Sequence, residues 1–115
     1  MARTVLLAVE EDRELREKIA KALSDEGYSV LQAKNAREAL IVLSLIRPNL
    51  LLLDMLMPLM SVWVLEALRD TPQLRTLPVV LISAHIEKAP KHVVRLLRKP
   101  IDVPAVLSAV RQHCD

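Results

Sequence analysis

Four consecutive leucines, Leu50-Leu51-Leu52-Leu53, leave the segment that holds them few places to go. A strand with one wet face alternates apolar and polar residues, whereas one that is apolar throughout must be covered on both faces. The run ends in a carboxylate, Asp54, where such a strand emerges from the core. A poorly solvated carboxylate is costly unless something pairs with it, so its partners are to be sought at the ends of other strands.

Similar short apolar runs recur, separated by amphipathic stretches. Val5 to Val9 reads as a strand. Arg13 to Glu26 carries Leu15, Ile19, Ala22 and Leu23 at helical spacing and stops at Gly27. Tyr28 to Ala33 is a second strand, and Ala36 to Ile46 a helix ended by Pro48. The leucine run is the third strand and Val62 to Arg69 the third helix. Pro78 introduces a fourth strand over Val79 to Ile82, and Val94 to Leu97 makes a fifth. Val103 to His113 is the last helix, with Val103, Leu107, Val110 and Cys114 on one stripe. Five strand–helix alternations define an α/β fold, doubly wound around a parallel sheet. At 115 residues the chain is read as one domain over 1–115.

Composition narrows the function classes. The chain is 52% hydrophobic and 26% charged, as a globular domain is. The longest greasy stretch is interrupted by Arg47, Pro48, Asn49, Asp54 and Pro58, so no membrane span is expected. Met1-Ala2-Arg3 leads straight into the first strand, and a lone cysteine, Cys114, fits a reducing compartment. A cytoplasmic location is expected. Net charge is +2, and Tyr28 and Trp63 are the only aromatics, so nucleic acid is not an expected partner. Lys88, Lys91, Arg95, Arg98 and Lys99 form a run without acids, read as a solvated face. His85 and His92 have no second ligand at metal-binding spacing and are read as surface residues.

Sites in open parallel sheets form beyond the carboxyl ends of the strands. Here those ends carry Glu10-Glu11-Asp12, Asp54, Ser83 and Lys99-Pro100. Carboxylates without histidine or thiolate suit a hard cation, with Mg2+ the usual choice beside a phosphoryl group. Ionised Asp54 could then act as a nucleophile toward phosphorus, with Ser83 donating a hydrogen bond and Lys99 supplying a mobile cation. As alternatives, Asp54 caps the following turn, Ser83 bonds to backbone, and Glu10 and Glu11 favour the first helix through its dipole.

In order and spacing, several segments together resemble a response-regulator receiver domain over essentially the whole chain. They are Val5-Leu6-Leu7-Ala8-Val9-Glu10-Glu11-Asp12, Glu26-Gly27-Tyr28, Glu38-Ala39-Leu40, Leu52-Leu53-Asp54-Met55-Leu56-Met57-Pro58, Pro78-Val79-Val80-Leu81-Ile82-Ser83-Ala84 and Leu97-Arg98-Lys99-Pro100. The resemblance implies a flavodoxin-like five-stranded sheet of order 2-1-3-4-5 with helices on both faces. It implies Asp54 as phosphoacceptor and Mg2+ held by Glu10, Glu11, Asp54 and the Leu56 carbonyl; a Glu11–Asp12 pairing is the alternative. Ser83 and Lys99 would contact the phosphoryl group, Ser83 and Leu96 would be the switch positions, and Lys99-Pro100 would be cis. The donor would be a sensor histidine kinase or a histidine phosphotransfer protein. The domain itself is expected not to be an enzyme.

The pattern also has breaks. The acidic pair is Glu-Glu where aspartate is usual. Met60-Ser61-Val62 stands in place of Met-Asp-Gly, Leu96 in place of an aromatic, and His92-Val93 in place of Gly-Ala. Ser83 and Lys99 are only 16 positions apart (99 − 83), so the fourth helix is expected to be short or missing. These breaks motivate a second reading: a degenerate or engineered receiver acting as a phosphorylation-independent interaction module. One glycine and no phenylalanine in the chain fit the engineered variant of it. An aspartyl-phosphate hydrolase is disfavoured by Leu56, two positions after Asp54, and flavin binding by the lack of a small-residue loop after strand one. On the second helix, Ala39, Leu40, Leu43 and Ile46 are read as the core stripe, and Ile41, Val42 and Leu45 beside it as a broadening of that buried face. The alternative is a self-association surface for a homodimer, extended by Met57, Leu59, Met60, Val62 and Trp63. Because the sequence ends with the last helix, a stand-alone shuttle or a fragment is expected.

Overall fold

The structure, a computed structural model, describes residues 2–9, 12–54, 58–84, 90–91 and 93–114, without the side chains of Val9 and of 58–61. The chain runs β1 (Thr4–Val9), α1 (Arg13–Asp25), β2 (Ser29–Ala33), α2 (Ala36–Leu45), β3 (Leu50–Asp54), α3 (Pro58–Asp70), a 3-10 turn (Pro72–Leu74), β4 (Val79–Ser83), β5 (Val93–Arg98) and α4 (Val103–His113). The strands form one sheet of order β2-β1-β3-β4-β5, with every neighbouring pair parallel. This is the expected doubly wound architecture. The described residues between β4 and β5 form no helix, so α4 is the helix that sequence reading counts as the fifth.

Sequence explains where the helices begin and end. Asp12, Asn35 and Asp102 each precede a helix, and each Oδ1 accepts from the backbone N–H three residues on, at 2.8–2.9 Å. At the far end of α1, Gly27 turns the chain with φ +95°, a conformation that favours glycine. Tyr28 N then donates to Leu23 O at 3.1 Å.

Strand alternation builds two cores. Leu6, Ala8, Leu51, Leu53, Val79 and Leu81 meet α2 and α3 on one face. Val5, Leu7, Leu50, Leu52, Val80 and Ile82 meet α1 and α4 on the other. All four leucines of β3 are fully buried, each worth about 1.5–3 kcal/mol of burial. Two predicted stripes are corrected. On α4 the buried residues are Val106, Ala109, Val110 and Cys114, while Val103 and Leu107 lie at the margin. On α2, Ile46 ends the helix in extended backbone and is exposed, and Leu40 is only partly buried.

β5 joins the sheet through an irregularity. Val79 pairs with Val93 but Val80 with Arg95, leaving Val94 as an extra residue. Had Val94 taken a place in the ladder, Arg95 would stand opposite Leu81, on the face covered by α2 and α3. The bulge instead sets Leu96 opposite Leu81 and Leu97 opposite Ile82, which returns each to the face where it packs.

Candidate functional site

The strand order reverses between β1 and β3, and Val9 pairs with Asp54 at the carboxyl end of that junction. Alternation along β3 places Asp54 in phase with Leu50 and Leu52, toward the α1 and α4 face. The same phase on β5 belongs to Leu97, and Lys99 follows two positions later. Their side chains meet, with Lys99 Nζ 3.0 Å from Asp54 Oδ2. Lys99 is fastened to the end of β4 by its own N–H, which donates to Ser83 O at 3.1 Å, and its peptide bond to Pro100 is cis as expected.

Burial makes this pair unequal. The Asp54 side chain is 1% exposed, that of Lys99 35%. The ammonium meets Oδ2 at hydrogen-bonding distance but in a poorly directed approach, and no other partner of Asp54 Oδ2 stands among the described residues. We read the contact as charge compensation without a satisfied lone pair. Burial pushes the Asp54 carboxyl above its ordinary proton affinity, Lys99 opposes that shift, and the nearby Asp12 charge adds to it.

A buried carboxylate oxygen whose one partner is a poorly directed ammonium is a good ligand for a hard cation, which would supply further positive charge in dry surroundings. Asp54 therefore fits a place in an Mg2+ site. Glu10, Glu11 and Leu56, its expected companions, lie outside the described residues, as do His85 and His92. Among the described residues, no three His, Cys, Asp or Glu side chains gather as a metal cluster. Ser83 is buried at the carboxyl end of β4, opposite Arg98. Leu96 is half-buried against the α2 and α3 core.

Asp12 is the residue whose influence sequence reading understates. It appears there only as an alternative metal ligand, yet it both caps α1 through Oδ1 and bears on the Asp54 charge. Its position one residue before an amphipathic helix was the available signal.

A doubly wound parallel sheet with a buried aspartate at its switch point and a lysine from the last strand end defines a CheY-like α/β domain with an acid–ammonium site. The chain belongs to the response regulator receiver domain family, which it matches over residues 6–111. It is thus a receiver domain of phosphorelay signalling. It is 30% identical over 121 aligned residues to the polar-differentiation response regulator DivK of Brucella anthropi, covering 98% of this chain and 97% of that protein. Among solved structures it resembles the signal receiver domain of a signal transduction histidine kinase from Syntrophus aciditrophicus. There the TM-score is 0.79 and the identity 30%, over 96% of this chain and 89% of that one. It also resembles the receiver domain of the hybrid histidine kinase CckA, with a TM-score of 0.80 and 31% identity over 97% and 99% of the two chains. No helix among the described residues is long and apolar enough to cross a membrane.

Proposed function

We propose that this receiver domain accepts a phosphoryl group on Asp54 from a phosphohistidine, on a sensor histidine kinase or a phosphotransfer protein. The observation that carries this reading is the buried Asp54 with Lys99 Nζ 3.0 Å from its Oδ2. An Asp54 carboxylate oxygen attacks phosphorus, the P–O bond forms, the P–N bond to the donor imidazole breaks, and that nitrogen takes up a proton. Mg2+ would be held by Asp54 with Glu10, Glu11 and the Leu56 carbonyl, and when bound would neutralise charge on the phosphoryl oxygens. Lys99, partly exposed and flexible, is free to move from the carboxylate to a phosphoryl oxygen, and Ser83 stands at the adjacent strand end to donate to another. The domain is a substrate and carrier of the group, not an enzyme acting on a further molecule.

The second reading, a phosphorylation-independent interaction module, draws on exposed apolar residues. Ile41 and Leu45 on α2 and Trp63 on α3 are at least half-exposed or nearly so, Leu45 at 78%. A homodimer through this side belongs to that reading. One experiment separates the two. The protein is incubated with acetyl phosphate and Mg2+ and its intact mass measured, beside Asp54→Asn. A single phosphoryl adduct, lost in the variant and without Mg2+, is the expected result. No adduct on the unaltered chain would overturn the phosphoacceptor reading and leave the module.

A further inference from the structure

At the edge of the sheet opposite Asp54, the amino ends of β3, β4 and β5 border a groove of about 620 Å³. Its volume lies in the range of small-molecule sites. Arg47, Arg75, Lys91 and His113 line it, together with the apolar Pro78 and Val94. No acidic side chain lines it among the described residues. Arg47, Arg75 and Lys91 form no ion pair with a carboxylate among the described residues.

The two arginines are held in place by the main chain. Arg47 Nε donates to Gln73 O at 3.1 Å, and its terminal nitrogens donate to Pro48 O and Thr76 Oγ1. Arg75 Nε donates to Arg69 O at 2.8 Å. Arg75 is thus anchored by its inner nitrogen alone, with its terminal N–H groups left for a ligand, whereas Arg47 donates from all three nitrogens and keeps only the second N–H of each terminal one. A guanidinium fixed in advance loses less freedom on binding than a loose one, and its planar fork matches the oxygens of a phosphate. Three cations at the mouth of one groove exceed what a single phosphate needs and suit a chain of them. Val94, the bulged residue, is 46% exposed and offers an apolar wall beside that cationic rim.

We propose that this groove is a second binding site, for a phosphate-rich small molecule of the nucleotide or polyphosphate class. It is independent of the chemistry at Asp54, from which about 13 Å of strand separates it at the rise of an extended chain.

The test is titration of the 15N-labelled protein with ATP and, separately, with inorganic tripolyphosphate. EDTA is added so that no divalent cation draws either ligand to Asp54, and physiological salt screens loose charge. We expect saturable binding of both, with amide shifts concentrated at Thr76, Lys91, Val94 and Gln112. Arg75→Ala combined with Lys91→Ala should weaken it by about ten-fold or more, with an unchanged melting temperature as the check on folding. Tighter binding of ATP points to a nucleotide seated against Val94, and equal binding to the phosphate chain alone; either supports the site. The proposal is overturned by shifts that do not saturate, by shifts centred on Asp54, by a double variant that binds like the parent, or by a poly-glutamate peptide binding more tightly than tripolyphosphate.

Discussion

The two edges of the sheet handle charge in opposite ways. At the carboxyl edge Asp54 is, among the described residues, a buried acid whose Oδ2 meets an ammonium in a poorly directed approach. At the amino edge several cations stay in water, two of them braced by backbone carbonyls. The first arrangement stores an unfavourable charge that a ligand or a proton would relieve. The second stores little energy and instead holds donors ready for an anion. A parallel sheet produces this contrast naturally, because all its strand ends of one kind gather on one edge.

Removing Lys99 should break the comparison most severely. Lys99→Ala leaves Asp54 buried without its cation, and we expect a loss of about 2 kcal/mol at neutral pH, measured by urea denaturation. That figure is discounted from the 3–5 kcal/mol typical of a broken buried pair because Lys99 is one-third exposed. Adding Asp54→Asn to Lys99→Ala should recover most of the loss, and the amino-edge groove should be indifferent to both changes.

A smaller effect belongs to neither edge and serves as the reference. Gly27→Ala should cost about 1 kcal/mol, because φ +95° strains any side chain. Nothing lies within 4 Å of the added Cβ, so the penalty is one of backbone conformation and should shrink for Gly27→Asn. Phosphoryl acceptance and anion binding should both survive it.

The smallest effect is one of sign. The folded-state proton affinity of Asp54 is raised by burial, so the protonated acid favours the folded state. The unaltered protein should therefore gain stability relative to Asp54→Asn as pH falls through the raised folded value toward the ordinary aspartate range, and lose it again as pH rises. At neutral pH without metal, Asp54→Asn should melt higher than the parent. A variant melting lower at neutral pH, with the gap closing as the pH falls, would show that the Asp54–Lys99 contact outweighs the burial cost.

Much of the carboxyl edge was legible in the sequence because its residues follow apolar runs. Asp54 after Leu50-Leu53, Ser83 after Val79-Ile82 and Lys99 after Leu96-Leu97 are each marked by the strand they terminate. The fold was legible for the same reason, since short continuous apolar runs and period-3.6 stretches alternate along most of the chain. The α4 stripe was misplaced because several apolar positions compete there, and the tightly packed face favours Val106 and small Ala109 over Leu107. The amino-edge groove was missed for a different reason. Its cations come from separate loops and form no contiguous motif, while Lys91 was absorbed into a run read as solvated. A signal did exist: Arg47, Arg75 and Lys91 each stand a few residues before a strand begins. In a parallel sheet, that shared offset puts them on one edge. The bulge left no trace, because Val93-Val94 and Leu96-Leu97 suit either phase of the ladder.

Val94 has a consequence for how such a domain can diverge in evolution. It is a spare residue as far as strand pairing is concerned, since its loss would leave Val93 opposite Val79 and Arg95 opposite Val80 as they are now. The lineage could therefore discard it, or exchange it for almost any side chain, without moving Lys99 away from Asp54. The same change would reshape the groove wall that Val94 provides. One position thus lets selection alter what the amino edge recognises while the carboxyl edge is inherited intact.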